Sequence, residues 1–178
     1  MDMACSPQMR KLIGQMADVV RQRYGIACPV ADIDGAVRAI GGSVIADPSL
    51  DGFSDGRIKK AGSEAFEIMA SPFQKEERRN FIVAHELGHL FLHMGYRSNH
   101  ERWDAQNNMA YYRSACVGSE YQADAFAAAF LMPDGDFKRV MAQYTEGSTV
   151  DTSAVAKYFH VSISSAANRG KELGYLRW

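Results

Sequence analysis

Long apolar runs are missing from this chain. No stretch approaches the roughly 18 residues that a membrane-spanning helix needs, so a membrane partner is not expected. Cysteine is scarce: Cys5, Cys28 and Cys116 are odd in number and far apart. They form neither a disulfide framework nor a CxxC metal pair, and a reduced, cytoplasmic setting is expected. The opening Met1-Asp2-Met3-Ala4-Cys5-Ser6-Pro7 has no basic stretch and no apolar one, so no secretion signal is expected. Surplus charge is absent as well. With a net charge of −1 and a pI near 6.5, no global basic field draws in nucleic acid or an anionic membrane. Repeats and low-complexity tracts are also lacking.

What is present is a globular composition. A chain of 178 residues, 47% hydrophobic and 23% charged, suits one compact domain over 1–178 and is too short for two ordinary ones. Ser6-Pro7 reads as an N-cap followed by proline at the first helical position. Met9, Leu12, Ile13, Met16, Val19, Val20 and Tyr24 then recur at helical spacing, which predicts an amphipathic helix over 7–24. A shorter helix carrying Ile33, Val37 and Ile40 stops at Gly41-Gly42.

Residues 43–47 and 57–70 read as extended, joined by a Gly/Asp/Ser-rich turn, with Phe66, Ile68 and Ala70 alternating against Glu67 and Met69. A long helix is expected over 74–94, and a loop without clear period over 95–117, long enough to suggest function. Further helices are expected over 119–131 and, within 135–174, near 135–144, 152–159 and 163–173.

The chemistry concentrates at His85-Glu86-Leu87-Gly88-His89. On a helix, positions i and i+4 lie one turn apart on one face, so His85 and His89 can aim ring nitrogens at one metal ion. Glu86 sits beside that face as the general base for a metal-bound water whose pKa falls toward ~7. Chance alone would give an HExxH about once in 150 chains of this composition.

A catalytic zinc needs a third protein ligand and an open position. Continuation of the HExxH into HxxGxxH is closed, because the relevant positions are Leu92 and Gly95. Glu120 is the better candidate, with Asp124 one turn on as an outer partner accepting the other N–H of a ligating histidine. An acid pair on an alanine-rich helix is costly if buried without a cation; the bland alternative is an exposed helix start capped by Ser119. Glu101 and Asp104 compete as third ligands. His93, one turn past His89, is either a helix-surface histidine or a substrate or transition-state contact. His100 and His160 show no metal partner. Nothing selects Tyr111, Tyr112 or Tyr121 as an oxyanion donor over packing.

The run from Glu77 through His85-Glu86-Leu87-Gly88-His89 to Leu92-His93 resembles the ImmA/IrrE metallopeptidases. So do Glu120-x-x-Ala123-Asp124-x-Phe126-Ala127 with Phe130-Leu131-Met132-Pro133, and Val161-Ser162 with Ala166-Ala167, Arg169 and Leu173-Gly174. The resemblance covers about residues 20–176. It implies an α+β, zincin-like fold, a small mostly antiparallel sheet packed with several helices and a helical C-terminal part. It implies one Zn2+ per chain held by His85, His89 and Glu120, with Glu86 as base. It also implies a cytoplasmic endopeptidase that cleaves a helix-turn-helix transcriptional repressor, often one encoded in a prophage, mobile element or stress-response operon. The connection from His89 to Glu120 looks longer than is usual for the family.

Two other classes compete with a protease. One is a partner that grips a repressor or antitoxin without cutting it. The other is a DNA-binding regulator, since 152–174 reads as helix, short turn, helix, although Lys157, Arg169 and Lys171 are its sole cations. For a protease, residues 64–70 are expected to offer a free strand edge on which an extended substrate segment pairs.

Overall fold

The computed structural model describes residues 6–50, 56–106 and 117–176. Its elements run α1 (Pro7–Arg23), α2 (Ile33–Ile40), β1 (Gly42–Ala46), β2 (Gly56–Lys60), β3 (Phe66–Ala70), α3 (Glu76–Leu92), α4 (His100–Asp104), α5 (Val117–Leu131), α6 (Asp134–Gln143), β4 (Thr145–Glu146), β5 (Thr149–Val150), α7 (Thr152–Tyr158) and α8 (Ile163–Glu172). This is an α+β arrangement in which one small sheet packs among helices. Among the described residues, no helix is long and apolar enough to cross a membrane.

Local chemistry sets several boundaries. The Ser6 hydroxyl accepts from the Met9 N–H at 3.2 Å and Pro7 opens α1. Asp32 caps α2 through the Gly35 N–H at 2.8 Å, and Gly41, in the left-handed region, ends it.

The three-stranded sheet has the order β1-β3-β2, with β1 parallel and β2 antiparallel to β3. The stretch read from the sequence as one extended run over 57–70 is a hairpin, turned at 61–65 and closed by Ala61 N–H donating to the Ala65 carbonyl at 2.8 Å. That order also overturns the expected substrate edge. β3 is paired on both sides and has no free edge, so the outer positions belong to β1 and β2. Side-chain alternation marks which face of a strand is buried, but not which strands lie beside it.

Residues 95–117 are not all loop. Asn99 caps α4 by accepting from the Arg102 N–H at 2.9 Å. Trp103 is buried, and its indole N–H donates to the Ser63 carbonyl at 2.6 Å. Residues 107–116 lie outside the described residues.

α3 is the centre of the molecule. It packs on α5, on β2 and β3, and on α2. Val83, Ala84, Leu87 and Leu90 are fully buried, and burial continues around the helix from Ile82 to Phe91. Each large aliphatic side chain buried this way stabilises the fold by about 1.5–3 kcal/mol relative to exposure. A helix enclosed on all sides carries its polar residues inside as well, which is how His85, Glu86 and His89 come to be buried.

Candidate metal centre

One turn of α3 separates His85 from His89, and their Nε2 atoms approach to 3.0 Å. The Glu120 carboxylate reaches across from α5, with Oε2 3.4 Å from His85 Nε2 and Oε1 3.4 Å from His89 Nε2. This approach depends on a glycine. A Cβ on Gly88 would stand 2.9 Å from Ala123 Cα, so α3 and α5 come this close only because Gly88 has none. On α5, Ala123 faces Gly88, and Glu120 and Asp124 flank it one turn apart.

These three side chains fit a divalent cation. Asp124 Oδ1 lies 2.8 Å from His85 Nδ1 and accepts its hydrogen. A neutral His85 ring therefore turns a bare Nε2 toward His89 and Glu120. Two imidazole nitrogens and a carboxylate form a donor set suited to zinc, and tetrahedral bonds of ~2.0–2.1 Å would separate the ligand atoms by roughly 3.3 Å. The observed 3.0, 3.4 and 3.4 Å bracket that separation. Among the described residues, His85, His89 and Glu120 form the group of acidic and histidine side chains close enough to hold a metal, all within 4.8 Å of one another.

Electrostatics point the same way. Burial pulls the His85 pKa down, but the Asp124 hydrogen bond and the charges of Glu86, Asp124 and Glu120 outweigh it and hold the pKa above the ordinary histidine value. The pocket thus favours positive charge on the ring side of the site. His89 is 1% exposed, whereas the Glu120 side chain is 28% exposed, so the site is closed on the α3 side and open beside Glu120.

A cleft of about 520 Å³ opens there, lined by Arg78, Phe81, His85, Glu120, Ser165 and Asn168 among others. Its far wall is the start of α8. Asn80, buried on α3, donates through Nδ2 to the His160 carbonyl at 3.2 Å, which ties the α7–α8 turn to α3. Glu86 is also buried, facing β2. A Cβ on Gly56 would lie 3.0 Å from Glu86 Oε1 and 2.7 Å from Ile82 Cγ2, so only glycine lets β2 run this close to the carboxylate.

The other candidates fall elsewhere. Glu101 and Asp104 sit on α4 with their faces to solvent, and Asp104 Oδ1 takes Lys60 Nζ at 3.2 Å. Tyr121 is exposed on α5, and Tyr111 and Tyr112 lie outside the described residues. His100 is exposed at the start of α4. His93, expected either on the helix surface or against substrate, has both ring nitrogens engaged: Nδ1 lies 3.0 Å from His89 Nδ1 and Nε2 lies 3.0 Å from Gln122 Oε1. Burial keeps its pKa below the ordinary histidine value. Gln122, Gly56 and the serine-rich start of α8 were not legible as site residues. A lone glutamine, a lone glycine and a run of serines carry no spacing that ties them to a motif 29 or more residues away in sequence.

A Mycobacterium tuberculosis transcriptional regulator of known structure shares this fold, with a TM-score of 0.62 over 92% of the chain at 18% identity. The chain spans half the length of that protein. No curated protein matches the sequence significantly. The M78 peptidase family, described as the IrrE N-terminal-like domain, matches residues 67–171. That span takes in most of β3, the HExxH helix, Glu120 and nearly all of α8, and with more than half of its length matched, the chain belongs to the IrrE N-terminal-like peptidase family.

Proposed function

We propose that the chain is a zinc-dependent endopeptidase of a reduced, cytoplasmic compartment that cuts a specific protein. The observation that carries this is the convergence of His85 Nε2, His89 Nε2 and the Glu120 carboxylate, with His85 and Glu120 lining a cleft and buried Glu86 next to them on α3. When bound, zinc supplies Lewis acidity for the scissile carbonyl and for water. The chain's own residues do the rest. His85, His89 and Glu120 hold the ion and leave one side open to the cleft. Glu86 takes the proton of the attacking water and passes it to the leaving amide nitrogen. Asp124 fixes the His85 ring through Nδ1. β2, close against Glu86 at Gly56, is the strand along which an extended substrate segment pairs.

A helix-turn-helix repressor is the favoured substrate. Support comes from the resemblance to ImmA/IrrE proteins and from a related fold in a transcriptional regulator twice as long. Direct DNA reading by α7 and α8 is disfavoured by the cleft itself. The N-terminal residues of a recognition helix need to face a groove, whereas Ser162, Ser164, Ser165 and Asn168 at the start of α8 line the cleft beside His85.

The test is Glu86→Gln. The amide cannot accept a water proton, so cleavage of a repressor substrate should fall by several orders of magnitude while one zinc per chain is retained. Cleavage that persists in this variant would remove Glu86 from the role of base, and a wild-type chain that binds no zinc would remove the reading altogether.

A further inference from the structure

His93 stands one turn past His89, at the end of α3, and it is held from both sides. Its Nε2 lies 3.0 Å from the Gln122 carbonyl oxygen on α5. A carbonyl oxygen only accepts, so this nitrogen carries the ring hydrogen. A neutral imidazole has one hydrogen, which leaves His93 Nδ1 bare. At 3.0 Å from His89 Nδ1, it accepts the hydrogen there. The consequence reaches the site: with its hydrogen on Nδ1, His89 presents a bare Nε2 to His85 Nε2 and to Glu120. The opposite order, with the Gln122 amide nitrogen toward His93, would move the hydrogen onto His89 Nε2 and close the site to a cation.

We propose that Gln122 and His93 are positioning residues, a two-step relay that locks His89 in the Nδ1–H form with its ring turned so that Nε2 is set as a metal ligand before any metal arrives. This rests on the zinc reading of the site. α5 then supplies more than a ligand: Glu120 is the third donor, Asp124 fixes His85 directly, and Gln122 fixes His89 through His93. Each histidine is set by its own outer partner, as metal-binding histidines generally are. The use of a second neutral imidazole in place of a carboxylate keeps negative charge off the His89 side. The charge that balances a cation then comes from Glu120, equidistant from the two histidines, and from Asp124 behind His85.

The primary test uses metal-free wild-type protein labelled with 15N, in which long-range proton–nitrogen correlations report each histidine tautomer. His89 is expected as Nδ1–H with Nε2 bare; an Nε2–H ring would overturn the relay. The second test is a pair of variants read by zinc affinity in chelator competition. His93→Leu removes the acceptor and should weaken zinc binding by about 10–100-fold. His93→Asn places a carbonyl oxygen near the position of Nδ1 and should restore affinity to within a few-fold of wild type. Unchanged affinity in His93→Leu, or equal loss in both variants, would make His93 a packing residue and refute the proposal. If His93→Leu fails to fold, the wild-type tautomer and the His93→Asn affinity still decide it. Because the tautomer is read without zinc or cleavage, a chain that bound no zinc would fail the function proposed above and leave the His89 result standing apart.

Discussion

Replacing Gly88 with alanine probes the contact on which the placement of Glu120, the proposed third ligand, depends. The new Cβ would stand 2.9 Å from Ala123 Cα, 3.0 Å from its carbonyl oxygen and 3.2 Å from its Cβ. Carbon–carbon contacts settle at about 3.5–4.0 Å, so α5 must retreat by roughly 0.6–1 Å at that point. Two of the three atoms are backbone, so no side-chain rotation relieves the clash. Glu120 is three residues from Ala123 on the same helix and moves with it. A metal site tolerates ligand distances to about ±0.2 Å, which the retreat exceeds several-fold. Rotation about the Glu120 side chain recovers part of the distance, so the expected loss is at least ~10-fold in zinc affinity, not its abolition. Overpacking costs about 1–3 kcal/mol, partly offset by the ~1 kcal/mol that alanine gains over glycine inside a helix. The net loss of up to about 2 kcal/mol should lower the melting temperature of the metal-free protein by no more than about 8 °C. Chelator competition reads the first quantity and circular dichroism the second. A Gly88→Ala protein that binds zinc as wild type would refute the reasoning that close approach of α3 and α5 sets Glu120.

Glu120→Ala should lower zinc occupancy and affinity outright; unchanged metal content would return the role to Glu101 or Asp104, which metal analysis of their own alanine variants would then identify. When a substrate peptide binds the Glu86→Gln protein, hydrogen exchange should slow at the main-chain amides of β2 and stay unchanged in β3, which is already paired on both sides. Protection that spares residues 56–60 would exclude β2 as the substrate strand. Tyr96→Phe should cost about 1 kcal/mol in urea unfolding, because the hydroxyl lies 3.0 Å from the Ile40 carbonyl and 3.1 Å from the Glu64 carbonyl inside the core. No loss of stability would show that water replaces it there.

The sequence by itself determined whatever depends on neighbours within a turn or two. His85 and His89 share a face because 3.6 residues make a turn, whatever the rest of the fold does. Ser6-Pro7 and Gly41 set helix ends through their own backbone preferences. The alternation of Phe66, Ile68 and Ala70 marked the buried face of β3 without reference to any partner. The short α4 was missed within a stretch read as loop, since Asn99 and Glu101 are weak signals without the burial of Trp103 against the β2–β3 turn.

Tertiary structure decided everything that joins distant segments. Glu120 lies 31 positions after His89, and the packing of α5 on α3, close at Gly88 and Ala123, brings its carboxylate to the histidines. Strand order is set by nonlocal pairing, so the sequence could not show that β3 is enclosed and that β2 is the strand beside Glu86. His93 is the sharpest case. Its place on the helix was plain from its spacing, but whether it faced substrate, solvent or His89 depended on a glutamine 29 residues away on another helix. Hydrogen-bond direction is a property of three-dimensional neighbours, and no periodicity along the chain encodes it.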